Sequence, residues 1–308
     1  MKKYLFRKLV SNLISLWIVF SITFWIMRSI PGDPFTYEDG NPLSEETIEI
    51  LKNQCGLSEP LYRQYFKYLK ATVKFDFGNS LVYRDRSVRN IIASSFPVSA
   101  ILGLQSSFLA IIFGLFMGWT ASLKTKKYLP KIVSGSIMLQ ISVPGFILAT
   151  LLQYFLAFKC RLFPIACWGS FSHTILPSVS LAAVPAAFIA KLTKSSFASL
   201  ITKDFILSAQ AKGLSRTGIL FRHALPHAFF PVLSYLNFMI TNLITGTFAV
   251  ENIFGIPGLG KWFTQSVLQR DYPVIIGLAV FYGVFFMTGS LIIDLMQAGI
   301  DPQIRRNL

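Results

Sequence analysis

The chain has 308 residues, of which 53% are apolar and 14% are charged, and its net charge is +15. The charged fraction lies well below the roughly 25% of soluble domains, which favours a membrane protein. Its basic residues cluster at the ends of apolar runs rather than along one stripe, which argues against a nucleic-acid-binding protein. The three cysteines, Cys55, Cys160 and Cys167, lack the spacing of a zinc site.

Six apolar runs are long enough to cross a bilayer, which takes roughly 20 residues. The first is longer than the signal-peptide core of about 7–15 residues, so it predicts a retained membrane anchor. The fourth contains Pro177 and Pro185 but is kept as a span, because membrane helices tolerate proline. The six predicted spans lie at about 9–27, 98–123, 132–158, 175–192, 228–250 and 274–298.

The distribution of lysine and arginine predicts the orientation, because cytoplasmic flanks carry the excess of positive charge. With the N-terminus inside, the cytoplasmic pieces hold sixteen basic residues against Asp204 and Asp301, whereas the short outer loops hold four. The long segment 31–97 is nearly balanced, with nine acidic and eight basic residues. The sequence therefore predicts that both termini are cytoplasmic and that segment 31–97 lies outside.

Segment 31–97 is predicted to contain two helices. Ser44 can cap the first one, although Thr47 replaces the glutamate of a full capping box. The second follows Pro60, where aromatic and apolar residues recur at helical spacing: Tyr62, Tyr65, Phe66 and Leu69. Two interpretations are open, a small helical cap and a contact surface for a substrate-delivering protein.

The segment between the fourth and fifth spans is basic and rich in small residues. Lys212 and Arg222 would each be costly in lipid, so the segment lies outside the bilayer. Ala209 and Ala211 keep a short helix slim enough to enter a cleft on another protein. Gly213 permits a positive φ that ends this helix in a left-handed cap. The pattern indicates a docking element for a soluble partner, and the alternative is an ordinary cytoplasmic turn.

Residues 255–261, GIPGLGK, have the spacing of a phosphate-binding P-loop. The next residue is Trp262, where a P-loop needs the Mg²⁺-binding hydroxyl of Ser or Thr. No β-strand pattern precedes the segment, and the charge distribution places it outside the cell. We therefore predict a tight re-entrant turn before the last span rather than a nucleotide site.

Isolated polar residues leave further alternatives open. His223 and His227 are four residues apart, as in a metal pair or pH switch, but no third ligand is near and an inert pair fits as well. Cys160 and Cys167 share one short outer loop, where the spacing is compatible with a disulfide and with two free thiols. Asp294 is either a polar contact in a translocation pathway or a residue that reaches the membrane interface.

Several motifs resemble those of ABC importer permeases, in the form found in dipeptide and oligopeptide permeases. The segments AQAKG (209–213) and RHAL (222–225), followed by Pro231, resemble the EAA loop of that family. The segments ENIFGIPGLG (251–260) and RDYP (270–273) resemble a second family pattern. Shorter matches run nearly end to end: PGDP at 31–34, DFGNS at 76–80, SVPGF at 142–146 and DPQIR at 301–305.

The resemblance implies an all-α polytopic membrane protein with the bundle of a type I ABC importer permease. Its parts are expected to be an anchor with an outer loop (1–97), a transmembrane domain (98–298) with a coupling loop at 193–227, and a cytoplasmic tail (299–308). Glu251 and Asp294 are candidates for the translocation pathway. The residues expected to couple to the ATPase are Ala209, Gln210, Ala211, Lys212, Gly213, Leu214, Arg222 and Pro231.

The inner loop departs from the family pattern and is less charged. Gln210 and Leu207 stand where the family usually has arginine, and His227 stands where it commonly has asparagine. The small residues and Gly213 are intact, so the resemblance still implies a docking helix, without particular salt bridges to the partner.

The resemblance further implies a multi-pass protein of the bacterial inner (plasma) membrane that imports di- or oligopeptides by alternating access. Its expected partners are the lipid bilayer, a second homologous permease, two cytoplasmic ATP-binding subunits and an extracytoplasmic substrate-binding protein. The chain is expected to bind no cofactor, metal or nucleic acid, with ATP and Mg²⁺ acting on the partners. The alternatives are import of nickel chelates or glutathione, or a stand-alone channel or secondary carrier, which would show inverted repeats.

Overall fold

A computed structural model describes most of the chain. The described residues are 2–30, 32, 34–35, 37–38, 41–42, 44–83, 85–123, 128–200, 213, 225–245 and 247–300. Within them the fold is helical apart from a small antiparallel ladder of two two-residue strands, β1 (Tyr37–Glu38) and β2 (Asn41–Pro42). The helices are α1 (Lys2–Ser29), α2 (Glu45–Gln54), α3 (Leu61–Val73), α4 (Val88–Ser122), α5 (Leu129–Ser142), α6 (Gly145–Leu152), α7 (Phe171–Leu200), α8 (Leu225–Thr245), α9 (Phe248–Phe254), α10 (Leu259–Gln269) and α11 (Tyr272–Ile300). A π-helical segment, Gln153–Lys159, continues α6.

Within the described part of the chain, five stretches are long and apolar enough to cross a membrane, and a bent pair of helices makes a possible sixth. The five are Tyr4–Ser29, Val88–Ser122, Phe171–Ser199, Pro231–Ile253 and Tyr272–Met296. They correspond to the first, second, fourth, fifth and sixth predicted spans, so the predicted membrane-spanning helical fold is confirmed.

The third predicted span, 132–158, is not a single straight helix. The chain bends by 107° between α5 and the helix that begins at Gly145. Pro144 explains the break, because its ring disfavours a helical conformation at the preceding residue. Val143 accordingly adopts an extended conformation, with φ −93° and ψ 123°. This stretch is therefore a broken span or a re-entrant loop.

The fourth span tolerates its two prolines, as predicted. Pro177 and Pro185 both lie inside α7, which runs without interruption for 30 residues. The Ser180 hydroxyl donates a hydrogen bond of 2.8 Å to the Pro177 carbonyl oxygen. Membrane helices tolerate prolines in their interior, so neither proline ends the span.

The helices form two compact units, 1–98 with 258–308, and 99–257. In the first unit α1 packs against α11 through a cluster that contains Phe20, Phe24 and Ile276. Helix α3 covers this cluster with Tyr65, Tyr68 and Leu69. The outer segment is thus fixed to the first unit by aromatic packing, as the prediction of a helical cap requires.

The two predicted helices of the outer segment are present. The Ser44 side chain caps α2 by accepting a hydrogen bond of 3.3 Å from the Thr47 amide, as its position predicted. On α3, Tyr62 and Phe66 are exposed and contribute nothing to the buried cluster. The helical spacing of the aromatic residues therefore predicted the helix, but only some of them face its core.

In the second unit α7 packs against α5, α6, α8 and α9. Two glycines of α4 allow a close approach to α7. A Cβ placed on Gly114 would lie 2.6 Å from the Ile189 Cβ, and one placed on Gly118 would lie 2.5 Å from the Thr193 Cβ. Small residues at such crossings let membrane helices pack closely where lipid supplies no hydrophobic driving force.

Candidate functional site

Most of the predicted coupling loop lies outside the described residues. This holds for Ala209, Gln210, Ala211, Lys212, Leu214 and Arg222, and also for His223. Gly213 is described, and its φ is +77°, in the left-handed region that glycine adopts without strain. Among the residues that the structure describes, nothing lies within 4 Å of a Cβ placed on Gly213. The sequence-based prediction of a positive φ at this position is confirmed.

Pro231, the last residue predicted for the coupling loop, lies inside helix α8. It is exposed among the described residues. The motif therefore extends from the loop into the first turns of the fifth span.

Glu251 lies on the short helix α9 and is completely buried. Its Oε1 accepts a hydrogen bond of 2.6 Å from the Ser99 hydroxyl and another from the Thr247 hydroxyl. Hydrogen bonds to the charged form of a carboxylate stabilise it, so these hydroxyls offset part of the cost of burial. The arrangement fastens α9 to the start of the second unit's portion of α4.

The segment with P-loop spacing has a different local structure from a strand–loop–helix. Gly255 ends α9 in the left-handed conformation, with φ +62°. The amide of Cys167 donates a hydrogen bond of 2.8 Å to the Phe254 carbonyl oxygen just before it. Lys261 lies on α10, three residues into that helix, and is exposed. The turn at 255–258 agrees with the predicted tight turn, but an 11-residue helix separates it from the last span.

Asp294 lies near the end of α11 and is paired with residues of α1. The Tyr4 hydroxyl donates a hydrogen bond of 2.6 Å to Asp294 Oδ2, and Lys8 forms a salt bridge with the same oxygen. The Lys8 ammonium also donates to the Ser290 hydroxyl at 3.1 Å. Sequence reasoning missed Tyr4 and Lys8 as partners, although their spacing of four residues places them on one face of α1. The role of Asp294 in a pathway remains a prediction.

A second buried carboxylate, Asp271, holds the outer segment to the start of α11. It accepts hydrogen bonds from the Ser80 hydroxyl and, at 3.1 Å, from the Leu81 amide. Burial raises the pKa of Asp271, and these two hydrogen bonds oppose the shift. The resemblance included the motifs that contain Ser80 and Asp271 but did not indicate that they touch.

The outer end of α1 carries a guanidinium that stacks on aromatic rings. Arg28 lies 4.3 Å from the centre of the Tyr272 ring and 5.7 Å from that of Phe24. Such contacts stabilise by about 0.5–2 kcal/mol, more when the cation is shielded from water. Arg28 therefore links α1 with α11 at the end opposite to Lys8 and Asp294.

No group of three or more potential metal ligands occurs among the described residues. The side chains of His223 and His227 lie outside that part of the chain. Cys55, Cys160 and Cys167 are free and exposed. Cys160 and Cys167 are therefore two free thiols rather than a disulfide.

Residues 110–306 match the family model of the binding-protein-dependent transport system inner membrane component. Residues 1–103 match the model of the N-terminal part of such membrane components. The chain belongs to this family. The resemblance identified from its motifs is thereby confirmed.

Two relatives are similar to this chain over almost its full length. The dipeptide transport system permease protein DppB of Bacillus subtilis is 40% identical over 305 residues, covering 99% of this chain and 98% of that protein. The oligopeptide transport system permease protein OppB of Escherichia coli K12 is 38% identical over 307 residues, covering 99% of this chain and 100% of that protein.

Solved structures share the fold of the helical bundle. An amino acid ABC transporter crystallised with histidines matches with a TM-score of 0.54 and 18% identity, covering 67% of this chain and 92% of that one. An inward-facing MetNI methionine ABC transporter matches with a TM-score of 0.51 and 18% identity, covering 66% of this chain and 94% of that one. The protein is therefore a multi-pass membrane permease subunit with an ABC importer fold.

Proposed function

We propose that this permease imports di- or oligopeptides. The observation that carries the proposal is the similarity to DppB and OppB, at 40% and 38% identity over almost the whole of each chain. Both relatives are named for peptide transport. The matches cover 98% of DppB and 100% of OppB, so almost the whole of each relative has a counterpart in this chain. The alternative functions are import of nickel chelates or glutathione and passive flux through this chain alone. Each predicts a different result in the uptake experiment below.

We further propose the assembly in which it works. A second homologous permease, two cytoplasmic ATP-binding subunits that hydrolyse ATP with Mg²⁺, and an extracytoplasmic substrate-binding protein complete the importer in the bacterial inner membrane. The family description, an inner membrane component of binding-protein-dependent transport, supports this assembly. The basic residues are concentrated in the segments that an orientation with both termini inside places in the cytoplasm, and this distribution supports that orientation.

Coupling between ATP hydrolysis and transport is assigned to the loop around Gly213. The positive φ of Gly213 is compatible with a short docking helix that ends at this residue. Such a helix would transmit the movement of the ATP-binding subunits to α7 and α8, which flank the loop on either side and pack against each other. Alternating access then follows as a rearrangement of the bundle.

Glu251 and Asp294 are retained as candidates for the translocation pathway. Glu251 is engaged by hydroxyls of Ser99 and Thr247, and Asp294 by Lys8 and by a tyrosine. A peptide would therefore reach either carboxylate only after these contacts open during the transport cycle.

The test is uptake by proteoliposomes that contain this permease with its partner subunits. We expect uptake of a labelled dipeptide or pentapeptide that requires both internal ATP and the binding protein. A Walker A lysine-to-alanine variant of the ATPase subunits should abolish it. Uptake of glutathione or a nickel chelate instead of peptides would contradict the peptide assignment. Flux through this chain alone without ATP would support a channel or carrier.

A further inference from the structure

The outer segment of the first unit contains a cavity of about 420 Å³. This volume lies at the lower end of the range of about 300–1,000 Å³ for small-molecule sites. Apolar and aromatic side chains form much of the wall, among them Leu51, Phe77 and Leu81. Polar side chains also line it, among them Gln64, Lys67 and Asp76. The cavity is thus large enough for a ligand of one or two amino-acid residues.

Gln64 carries an acceptor without a partner in this wall. The side chain is 2% exposed, and its Nε2 donates to the carbonyl oxygens of Leu57 at 2.9 Å and Glu59 at 2.7 Å. Both amide hydrogens are therefore used, which fixes the orientation of the amide. Its Oε1 has no hydrogen-bond partner among the described residues. The oxygen is closed to solvent as well, so it offers no contact to a ligand in the cavity, and recognition falls to the charged side chains of the wall.

The two charged side chains of the wall have opposite signs. Lys67 is only loosely engaged, since its ammonium lies 3.8 Å from Glu59 and its side chain is 65% exposed. Gly56, with φ +69°, lets this ammonium approach the cavity wall, because a Cβ on Gly56 would lie 3.0 Å from Lys67 Nζ. Asp76 is exposed and accepts one hydrogen bond, of 3.2 Å, from the Gly78 amide. The lining therefore offers one cation, one anion and an apolar surface.

We propose that this cavity binds a short zwitterionic peptide or amino acid, with the ligand ammonium at Asp76 and its carboxylate at Lys67. The apolar wall would take a side chain of the ligand. Binding itself follows from the lining, whereas a role as a holding site for transported peptide rests on the proposed function. An exposed pair of opposite charges is worth little alone, so the affinity should be modest and depend on both charges.

Cys55 provides a built-in reporter, because its thiol lines the same cavity. Burial raises the pKa of the Cys55 thiol, so alkylation by N-ethylmaleimide should be followed at alkaline pH, where more thiolate is present. Cys160 and Cys167 are exposed in the second unit and serve as internal controls. The full chain in nanodiscs is labelled with and without glycyl-phenylalanine, and mass spectrometry gives the rate at each cysteine.

The expected result is selective protection of Cys55. At a peptide concentration ten times its Kd, the rate at Cys55 should fall about tenfold, because only the unoccupied fraction reacts. N-acetylation or C-amidation of the peptide should raise the required concentration about fivefold, as expected for the loss of one partly exposed ion pair. Equal slowing of all three cysteines, or none at Cys55, would overturn the proposal.

Variants test the two charges directly. Asp76→Asn and Lys67→Met should each weaken protection about fivefold. Lys70→Met is the matched control, because Lys70 is exposed on the same helix and does not line the cavity, and it should leave protection unchanged. Unaltered protection in both cavity variants would refute the assignment. ATP-dependent peptide uptake without protection of Cys55 would reject this site and leave the proposed transport function standing.

Discussion

Replacing Gly213 with valine should uncouple transport from ATP hydrolysis. Gly213 has φ +77°, and no atom of the described residues lies within 4 Å of a Cβ placed on it. The cost of the substitution is therefore taken from the backbone conformation. An L-residue in the left-handed region costs roughly 1–2 kcal/mol, with β-branched residues at the upper end or beyond. A loss of about 1.4 kcal/mol in the coupling step corresponds to a tenfold fall in the transport rate.

The assay compares peptide uptake, ATPase activity and abundance for the complete importer in proteoliposomes. We expect uptake of the Gly213→Val importer to fall at least about tenfold, while ATP hydrolysis continues. Abundance in the membrane should change little, because a side chain at position 213 meets none of the helices that the structure describes. Gly213→Asn is the matched control, since asparagine enters the left-handed region more readily than other non-glycine residues.

The reasoning would be refuted if Gly213→Val transported peptide normally at normal abundance. The positive φ would then have no role in coupling, and the loop would be a plain turn between two spans. Loss of abundance with both the valine and the asparagine variants would also contradict it, because Gly213 would then be required for the fold.

Three further experiments test the helix packing, the salt bridge and the buried carboxylate. Gly118→Ala should destabilise the protein by about 1–3 kcal/mol in thermal unfolding, because the added Cβ meets α7, whereas Gly135→Ala, with open space around it, should be neutral or stabilising. A double-mutant cycle on Lys8 and Asp294 should give a coupling energy of about 0.5–3 kcal/mol, and additive effects would show that the salt bridge contributes nothing. The raised pKa of Asp271 means that its protonated form is favoured on folding, so stability should fall as the pH rises above about 4. Asp271→Asn should remove this pH dependence, and an unchanged pH profile would rule out the carboxylate as its source.

The spans could be predicted because bilayer thickness sets a length that apolar runs must reach. The runs do not show where a helix ends outside the lipid. Helix α4 begins at Val88, ten residues before the predicted start at Val98, since its first turns carry Arg89 and Asn90 and fall outside the apolar window. Pro144 lies in the motif SVPGF, but hydropathy is averaged over a window of residues and therefore does not show the break.

The contacts of the candidate site could not be predicted in the same way. Asp294 and Lys8 are 286 positions apart, and Asp271 and Ser80 are 191 positions apart. No local pattern in a single sequence indicates such pairs, because neither helical periodicity nor motif spacing extends beyond one element. The family motifs contain Ser80 and Asp271, and the resemblance singles out Asp294. Only the packing of α1 against α11 brings Lys8 to Asp294, and only the fold of the segment before α4 brings Ser80 to Asp271. The positive φ of Gly213 was predictable, since that property belongs to one residue.

Glycine has two separate physical roles in this chain, and each role predicts a different ranking of substitutions by the severity of their effect. Gly118 lies within helix α4, and its lack of a Cβ allows Ala190 and Thr193 of α7 to approach. Substitutions there should be worse the larger the side chain, with alanine the mildest and asparagine among the harmful ones. Gly213 has φ +77°, and a Cβ placed on it meets no atom of the described part of the chain, so side-chain size should matter little there. The order there should follow the ease of entering the left-handed region, with asparagine milder than alanine and valine the worst. The first effect acts on assembly of the bundle and the second on transport. Abundance and uptake, both measured for the substitutions at Gly118 and at Gly213, should therefore separate the two roles.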